Sequence, residues 1–421
     1  MAPDTIPYEL KRLIYDYVDL QTIKSLRQVS KSWASVGLEP LFLPTFFVKY
    51  HSRDVQRLID IESAEATRFQ AKKTIKKLIF QNSGWNSRYF RRIVCNRHEH
   101  RGHYDAVNFV ATQAEQEALD ELDVIISQKE IDEKEERKES RLVSAMRGVP
   151  LVNSIAIETR NPFRNPILRK VWEEYALEAY RNLRSRQAQN QLLRVLSAAA
   201  QAGLPIRHFS HDQLLSSCFQ NDDLIMNVKR CNLLQMVENL SLNISDLDGV
   251  FSADDQAVDR LRQLLSSFLT VEHLSVSFEA LESLPLSILP TAETCKLKSL
   301  TISSISIEPI PFLSLLKDHA STLKRLRLRS GSISQGHGSW RVLLEDLRNM
   351  FGDKLEKFQV SGMLRSVDGD GEQWLLRPHY DDEWNVLPSE KTPRTREIEE
   401  FVLRGGLWPM VAADSIPFQL A

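Results

Sequence analysis

The chain has 421 residues, of which 42% are hydrophobic and 26% charged, and its formal net charge is −2. This composition is ordinary for a soluble globular protein of two or three domains. The near-neutral charge gives no support for a chain that binds nucleic acid or a membrane surface as a whole. No run of about 18 apolar residues is present, so no membrane-spanning helix is predicted.

The N-terminal residues and the cysteine spacing of the chain predict the cellular compartment of the protein. MAPDTIPYELKR has no basic segment followed by an apolar one, so no secretory signal is predicted. The four cysteines, Cys95, Cys218, Cys231 and Cys295, are widely spaced and form no C-x-x-C pair. This usage predicts reduced thiols and a cytoplasmic and/or nuclear protein.

The first stretch, Ile6 to Leu38, predicts three short helices. Pro7 suits a first helical turn, since its missing N–H would have no partner there anyway. Asp19 is predicted to cap the second helix and Ser30 the third. About forty residues then carry much apolar surface with little to bury it against, and units this small rarely fold well alone. A second surface, in this chain or in a partner, is therefore expected to cover part of it.

Fixed residues recur in this stretch at fixed spacings. They are Ile6-Pro7-Tyr8-Glu9-Leu10, then Ile14 and Val18, then Ile23 and Leu26, and finally Val29-Ser30-Lys31-Ser32-Trp33. The series resembles the F-box, whose pattern is Leu-Pro-x-Glu-Leu, two spaced apolar residues, a second apolar helix and Val-Cys/Ser-Lys-x-Trp. The match runs without a gap, and its departures are Ile6 for Leu and the charged Lys11 and Arg12 where many members have Leu.

The resemblance implies docking on a Skp-type adaptor of a cullin–RING ubiquitin ligase. The adaptor-binding residues that it implies are Ile6, Pro7, Leu10, Ile14, Val18, Ile23, Leu26, Val29, Lys31 and Trp33. Lys31 occupies the basic position of the motif and is expected to pair with an acid of the adaptor. The alternative is an ordinary three-helix bundle that packs on its own chain.

The F-box is predicted to occupy residues 1–48, and residues 49–147 are predicted to be a helical region with basic and acidic blocks that leads into the next domain. Phe46 to Val48 and Lys72 to Phe80 predict strands, and residues 52–63 predict a helix. Arg68 to His103 is strongly basic with interleaved aromatic residues, which is also typical of nucleic-acid surfaces. Residues 115–139 predict one long acidic helix. Because the two blocks are close in sequence, mutual compensation is favoured and nucleic-acid binding is not expected.

Residues 148–365 contain a recurring L-x-x-L-x-L spacing. Its copies are Val152-Ile155-Ile157, Val237-Leu240-Leu242, Val271-Leu274-Val276, Leu297-Leu300-Ile302, Leu323-Leu326-Leu328 and Leu355-Phe358-Val360. Weaker copies lie at Lys72 to Phe80 and at Ile206-Phe209. Helical patterns separate several of the copies, as parallel strands require. The spacing is close to that of leucine-rich repeats, but the asparagine that usually follows is missing.

The predicted fold class is α+β or α/β solenoid, with a three-helix F-box followed by an irregular leucine-rich-repeat-like array of parallel strands with helical crossovers. It is similar to the degenerate leucine-rich region of many fungal F-box proteins. A doubly wound α/β domain is the alternative, but the glycine-rich turn expected after an early strand is absent. Residues 366–421 break the pattern. They predict a helix at Arg394 to Leu403 and a cap packed through Trp374, Trp384 and Trp408.

Candidate chemistry in the sequence is weak. Four possible zinc ligands lie close together, but no second Cys/His pair accompanies them; they are Cys95, His98, His100 and His103. The run Asp368 to Gly371 lacks the acids that a calcium loop needs at its first and twelfth positions. The glycine-rich run Gly331 to Gly338 has no phosphate-loop lysine. No metal, cofactor or catalytic residue is therefore predicted.

The resulting hypothesis is a non-catalytic substrate receptor of a Skp–cullin–F-box ubiquitin ligase. The F-box would bind the adaptor, and the repeat region would bind a target protein that the sequence does not identify. The candidate target-binding loops are Asn82 to Tyr104 and Gly331 to Trp340, because they carry aromatic and charged residues. The alternatives are a scaffold that binds the adaptor without ligase function, and an enzyme with an appended F-box.

Overall fold

The chain folds into two compact units, residues 1–206 and 207–421. The computed structural model describes residues 6–16, 18, 20–36, 44–49, 51–63, 74–82, 85, 87, 90–94, 112–135, 139–181, 185–220, 222–230, 235–246, 250–279, 288–333, 338–352, 354–366, 373–376 and 393–409. Among the helices of these residues, none is both long and apolar enough to cross a bilayer.

In its described residues, the first unit alternates helices with three short strands. Its described helices are α1 (Tyr8–Asp16), α2 (Leu20–Leu26), α3 (Lys31–Val36), α4 (His51–Ser63), α5 (Gln113–Glu135), α6 (Glu139–Arg147), α7 (Pro166–Arg181) and α8 (Ser185–Gln201). Its strands are β1 (Thr45–Val48), β2 (Lys77–Gln81) and β3 (Ser154–Glu158). Helix α5 covers residues 115–135 of the predicted acidic helix, α6 begins at the last residue of that prediction, and residues 136–138 lie outside the described part.

The three strands of the first unit are parallel and adjacent in chain order. Leu78 pairs with Ile155 and Phe80 with Ile157, so the two apolar patterns that predicted strands lie side by side. These four side chains are buried. Because parallel neighbours need long crossovers, the helices between the strands are the connections.

An aromatic cluster forms a second core in the first unit. Trp85, Phe90, Phe163 and Trp172 are buried together, with ring centroids 5.0 to 6.0 Å apart. Lys129 of α5 donates to the Trp85 carbonyl and lies over its ring. Arg91 and Asp123 form an ion pair of 3.1 Å, which joins the predicted basic stretch to the predicted acidic helix. At this pair the expected charge compensation is observed.

The described residues of the second unit form seven strands of a sheet, with helical connections. Its strands are β4 (His208–Leu215), β5 (Asn239–Ser245), β6 (His273–Glu279), β7 (Ser299–Ile307), β8 (Arg325–Ile333), β9 (Lys357–Ser366) and β10 (Gln373–Leu376). Its α-helices are α9 (Asp223–Arg230), α10 (Val250–Ala253), α11 (Asp255–Ser266), α12 (Pro309–Asp318), α13 (Trp340–Phe351) and α14 (Pro393–Arg404), with a 3-10 turn at Ser216–Phe219.

The strands β4 to β9 are parallel and lie in chain order, so each pairs with the next along the sequence. The register aligns the repeated apolar residues in two buried rows. One row is Leu240, Leu274, Leu300, Leu326 and Phe358, and the other is Leu242, Val276, Ile302, Leu328 and Val360. A doubly wound sheet would reverse its strand order partway. Within strands β4 to β9 the order never reverses, which disfavours the doubly wound alternative.

Left-handed backbone recurs at matching positions of three neighbouring strands. Ser304 of β7, Ser330 of β8 and Gly362 of β9 have φ values of 55°, 46° and 81°. A Cβ on Gly362 would lie 2.1 Å from Ser330 Oγ, so only glycine fits there. Between β8 and β9 the register shifts at this point, and such a β-bulge re-aims the side chains that come after it. The L-x-L spacing gave no indication of this feature.

A helix and an antiparallel strand complete the far end of the second unit. Strand β10 pairs antiparallel with β9, opposite Gly362 to Arg365. Helix α14 spans one residue more at each end than predicted, and Gly405 and Gly406 follow it with φ values of 81° and 116°. Trp408 lies 5.7 Å from Trp374 and 5.4 Å from Phe401. The third predicted capping residue, Trp384, lies outside the described residues.

Candidate functional site

The three N-terminal helices enclose a very small core of their own. Tyr15, Ile23, Trp33 and Val36 are buried together. The partly buried residues packed against them are Ile6, Val18 and Leu26. Two of the predicted adaptor-binding residues, Ile23 and Trp33, thus lie inside the helix trio, where they hold the helices together.

Hydrogen bonds fix Trp33 in that core. The Tyr15 hydroxyl donates to the Trp33 carbonyl at 2.9 Å, and the two rings meet edge to face at 5.7 Å. Burial raises the pKa of Tyr15 against the opposing effect of Arg27, so the hydroxyl keeps its proton. Ser30 accepts from the Trp33 backbone N–H at 3.4 Å and caps α3 as predicted. The predicted cap Asp19 lies outside the described residues.

Lys11 departs from the family pattern, and its contacts explain how it is accommodated. The residue is buried, its Nζ donates to Ser32 Oγ at 2.5 Å, and the ammonium lies 5.7 Å from the Trp33 ring centroid. A long aliphatic stem can fill an apolar site while its charged end contacts a ring face and a hydroxyl. Lys11 therefore joins the internal packing that a leucine would otherwise supply.

One side of α1 leaves apolar residues uncovered. Leu10 and Leu13 are about half exposed and Ile14 is 37% exposed. At 100° per residue these three and Pro7 fall on one continuous arc, beside the arc of Lys11 and Tyr15 that faces the small core. An apolar group of this kind on a soluble surface is typical of a contact site.

The remaining predicted site residues fall into two groups. Val29 and Lys31, in the turn before α3 and at its start, are exposed. Ile6, Val18 and Leu26 are half-buried at the edge of the core. We call the exposed residues of the predicted set, Pro7, Leu10, Ile14, Val29 and Lys31, the docking face. Contact of all ten residues with an adaptor stays a prediction.

The predicted adaptor-binding set leaves out residues that the helical period marks. Leu13 is exposed three residues after Leu10 on the same arc. Tyr15 follows Lys11 by four residues, so the two lie on one face and share the same core. The family pattern marked neither Tyr15 nor Leu13, whereas a plot of helical period includes both.

The other candidate centres lie mostly outside the described part of the chain. The proposed zinc ligands and the Asp368 to Gly371 run lie outside the described residues. Within the described part, no three His, Cys, Asp or Glu side chains are grouped as metal ligands would be. Burial raises the pKa of the Cys218 thiol to about 12 and that of Cys295 to about 11, which disfavours the nucleophilic thiolate.

The comparison with protein families agrees with this geometry. The family described as F-box domain matches residues 4–43, which includes all three helices and the docking face. No curated protein matches the chain. The chain thus carries an F-box domain. F-box domains bind Skp-type adaptors of cullin–RING ligases, and proteins that carry them are typically non-catalytic adaptors for substrate recognition.

Proposed function

We propose that this protein is the substrate-recognition subunit of a Skp–cullin–F-box ubiquitin ligase. Its docking face binds the Skp-type adaptor, and the sheet of the second unit binds the target protein. The chain performs no chemistry itself. It holds a target near a ubiquitin-loaded enzyme and so raises the effective concentration of the reacting groups.

The observation that supports adaptor docking is the exposed apolar arc of α1. A helix trio whose core holds four buried hydrophobic side chains leaves Leu10 and Ile14 open to solvent inside a matched F-box domain. Burying such side chains against a partner removes apolar area from water, at about 25 cal/mol per Å². Lys31, exposed beside Val29, adds a charge that can pair with an acidic adaptor residue.

The observation that supports target binding is the sequential parallel sheet. We propose that residues 148–365 form an irregular leucine-rich-repeat-like array, as in fungal F-box proteins, and that it acts in the cytoplasm or nucleus. Each strand–helix unit buries its apolar face against its neighbours, and such stacks offer long surfaces for protein partners. Of the predicted target loops, Gly331 to Trp340 is described only at its ends, and Asn82 to Tyr104 mostly lies outside the described residues.

The test is co-purification with a Skp-type adaptor, followed by a measured dissociation constant. Changing Leu10→Ala together with Ile14→Ala should weaken adaptor binding at least about tenfold, as loss of central interface residues does. The matched control is Val124→Ala with Ile131→Ala, two exposed apolar residues of α5. It should bind the adaptor as the parent chain does.

Three outcomes would oppose the proposal. Unchanged adaptor binding by the Leu10 and Ile14 variant would show that the docking face does not bind the adaptor. Adaptor binding without any recruited cullin would instead favour the scaffold function. Ubiquitin transfer onto bound proteins that continues without the adaptor would favour an enzyme.

A further inference from the structure

The docking face is divided between two helices of the trio. Leu10 and Ile14 lie on α1, with Pro7 just before it, whereas Val29 and Lys31 lie in the turn before α3 and at its start. A single partner surface can contact both parts at once only if α3 is held in one orientation against α1. Helices of six to nine residues do not hold a conformation by themselves in water, so contacts between the helices must fix that orientation.

Two side chains of α1 reach α3 from positions one helical turn apart. The Tyr15 hydroxyl donates to the Trp33 carbonyl at 2.9 Å. Lys11 precedes Tyr15 by four residues, which is about 6 Å along the helix axis, and its Nζ donates to Ser32 Oγ at 2.5 Å. One such contact would leave α3 free to pivot about the contact point. Two contacts one turn apart define the angle between the helices.

The bond from Lys11 joins the two halves of the docking face. Lys11 directly follows Leu10 in α1, and Ser32 directly follows Lys31 in α3. The bond therefore fixes the backbone beside Leu10 relative to the backbone beside Lys31. Without it, a tilt of α3 about Trp33 would move Lys31 relative to the apolar arc of α1.

Packing alone does not explain a lysine at this position. The residue is 2% exposed, and its ammonium gives up hydration that a hydroxyl and a ring face replace only in part. A leucine would fill the site without that cost. What a leucine cannot form is the bond to Ser32, and a charge-assisted hydrogen bond is shorter and stronger than a neutral one. The charge of Lys11 thus serves the orientation of α3 and not the packing of the core.

We propose that Lys11 is a positioning residue for adaptor docking, which holds α3 at the angle that completes the docking face. This inference rests on the proposed function, because the adaptor is the partner that contacts both halves of that face. A trio that is aligned in advance binds with its full affinity. A trio that is aligned for only a fraction of the time binds with an affinity reduced by that fraction.

The first measurement gives the rates of association and dissociation between the full chain and a Skp-type adaptor. Lys11→Met keeps a long side chain in the site but removes the bond to Ser32. It should slow association about tenfold and leave dissociation within about twofold. Ser32→Ala should do the same, and both changes together should slow association no more than either alone. Lys11→Arg keeps a cationic donor and should return association to within about twofold of the parent chain.

The matched control removes the same two groups elsewhere. Lys317→Met with Ser314→Ala changes two exposed positions of α12 in the second unit and should bind with the rates of the parent chain. Leu10→Ala with Ile14→Ala should instead speed dissociation, because these side chains are proposed to contact the adaptor. The rate that changes therefore distinguishes a positioning residue from a contact residue.

The second measurement needs no adaptor. In Lys11→Met, amide hydrogen exchange of α3 should be about tenfold faster than in the parent chain, whereas exchange of α1 should stay within about twofold. Lys11→Leu should give the same result, because it also packs without the bond. If the parent chain binds no adaptor, the proposed function fails, and the exchange of α3 still shows whether Lys11 positions that helix. The two failures are therefore distinguishable.

Three results would overturn the proposal. An unchanged association rate in Lys11→Met would show that docking does not need the fixed angle. Faster dissociation at an unchanged association rate would show that Lys11 contacts the adaptor directly. Hydrogen exchange that is unchanged in α3, or that is accelerated equally in all three helices, would show that Lys11 does not orient α3.

Discussion

The N-terminal helices and the sheet of the second unit use the same residue type in opposite ways. Leu10 of α1 is 51% exposed, whereas Leu326 of β8 is fully buried. Both leucines belong to regular apolar patterns in the sequence. The difference between them teaches that apolar periodicity predicts an element and its apolar face, but not whether the chain itself covers that face.

The physical reason is the number of neighbours that each element has. A central strand such as β8 has a paired strand on both sides, so Leu326 lies between Leu300 and Phe358 in one row. Helix α1 belongs to a trio in whose described part four hydrophobic residues are buried together. Small units bury a smaller fraction of their surface. The apolar surface that remains on α1 is the part that a partner can cover.

The largest expected effect is the loss of unfolding free energy when Leu326 of β8 is truncated. Leu326→Ala removes a fully buried side chain from a strand with neighbours on both sides, and should cost about 2 to 5 kcal/mol of unfolding free energy. Native-state hydrogen exchange of β7, β8 and β9 in the full chain measures this loss. Leu10→Ala, an equal truncation at an exposed site, should change stability by less than about 0.5 kcal/mol. Equal losses of unfolding free energy at Leu326 and Leu10 would show that the two leucines are not buried to different extents.

The second effect is acid sensitivity of the sheet. His211 of β4 is buried, its Nδ1 accepts from the Gln213 N–H at 3.2 Å, and burial lowers its pKa to about 3. The unfolded chain binds this proton near pH 6.5 and the folded chain does not. The free energy of unfolding is therefore unaffected by His211 above pH 6.5. It decreases as pH falls from 6.5 toward 3, by up to about 1.4 kcal/mol per pH unit.

Hydrogen exchange between pH 7 and pH 4.5 checks this expectation. Protection of β4 and β5 should fall with pH in the parent chain and fall less in His211→Gln. His208→Gln, an exposed position of the same strand, should keep the dependence of the parent chain. The sequence from Ile6 to Val36 has no histidine, so α1 to α3 should be insensitive in this range. An identical slope in the parent chain and His211→Gln would exclude His211 as the cause.

The sequence predicted the apolar elements well. The L-x-L copies correspond to β3 and β5 to β9, and the weak copies to β2 and β4. The helix before Gly405 and the cap at Ser30 were also correct. These features depend on local patterns, namely side-chain alternation, helical period and short-range hydrogen bonds. Such patterns can be recognised in the sequence without knowledge of the tertiary contacts.

The features that the sequence did not predict depend on contacts between distant residues. The burial of Trp33 depends on Tyr15, which lies 18 residues away. Ser304 and Ser330 have positive φ, a conformation that a serine in the sequence does not indicate. It depends on the surrounding structure. The pairing of Lys357 with Arg325 follows from the register of β8 and β9, which the leucine spacing alone does not give. A repeat pattern defined by its leucines makes no prediction about the residues between them.

The smallest effect separates the core of the helix trio from its docking face. Tyr15→Phe removes the hydrogen bond to the Trp33 carbonyl and should cost about 1 kcal/mol of local stability at α1 and α3, measured by hydrogen exchange. Tyr8→Phe, at a half-exposed position of the same helix, should cost less than about 0.5 kcal/mol.

Adaptor affinity supplies the decisive measurement for Tyr15. Because the docking face keeps Leu10 and Ile14, the Tyr15→Phe variant should bind the adaptor with an affinity lowered only by the fraction of unfolded helices. If the helices stay folded and the affinity still falls tenfold, the adaptor contacts the buried core directly. The helix trio would then have to open on binding, and the distinction between an internal core and an exposed docking face would be lost.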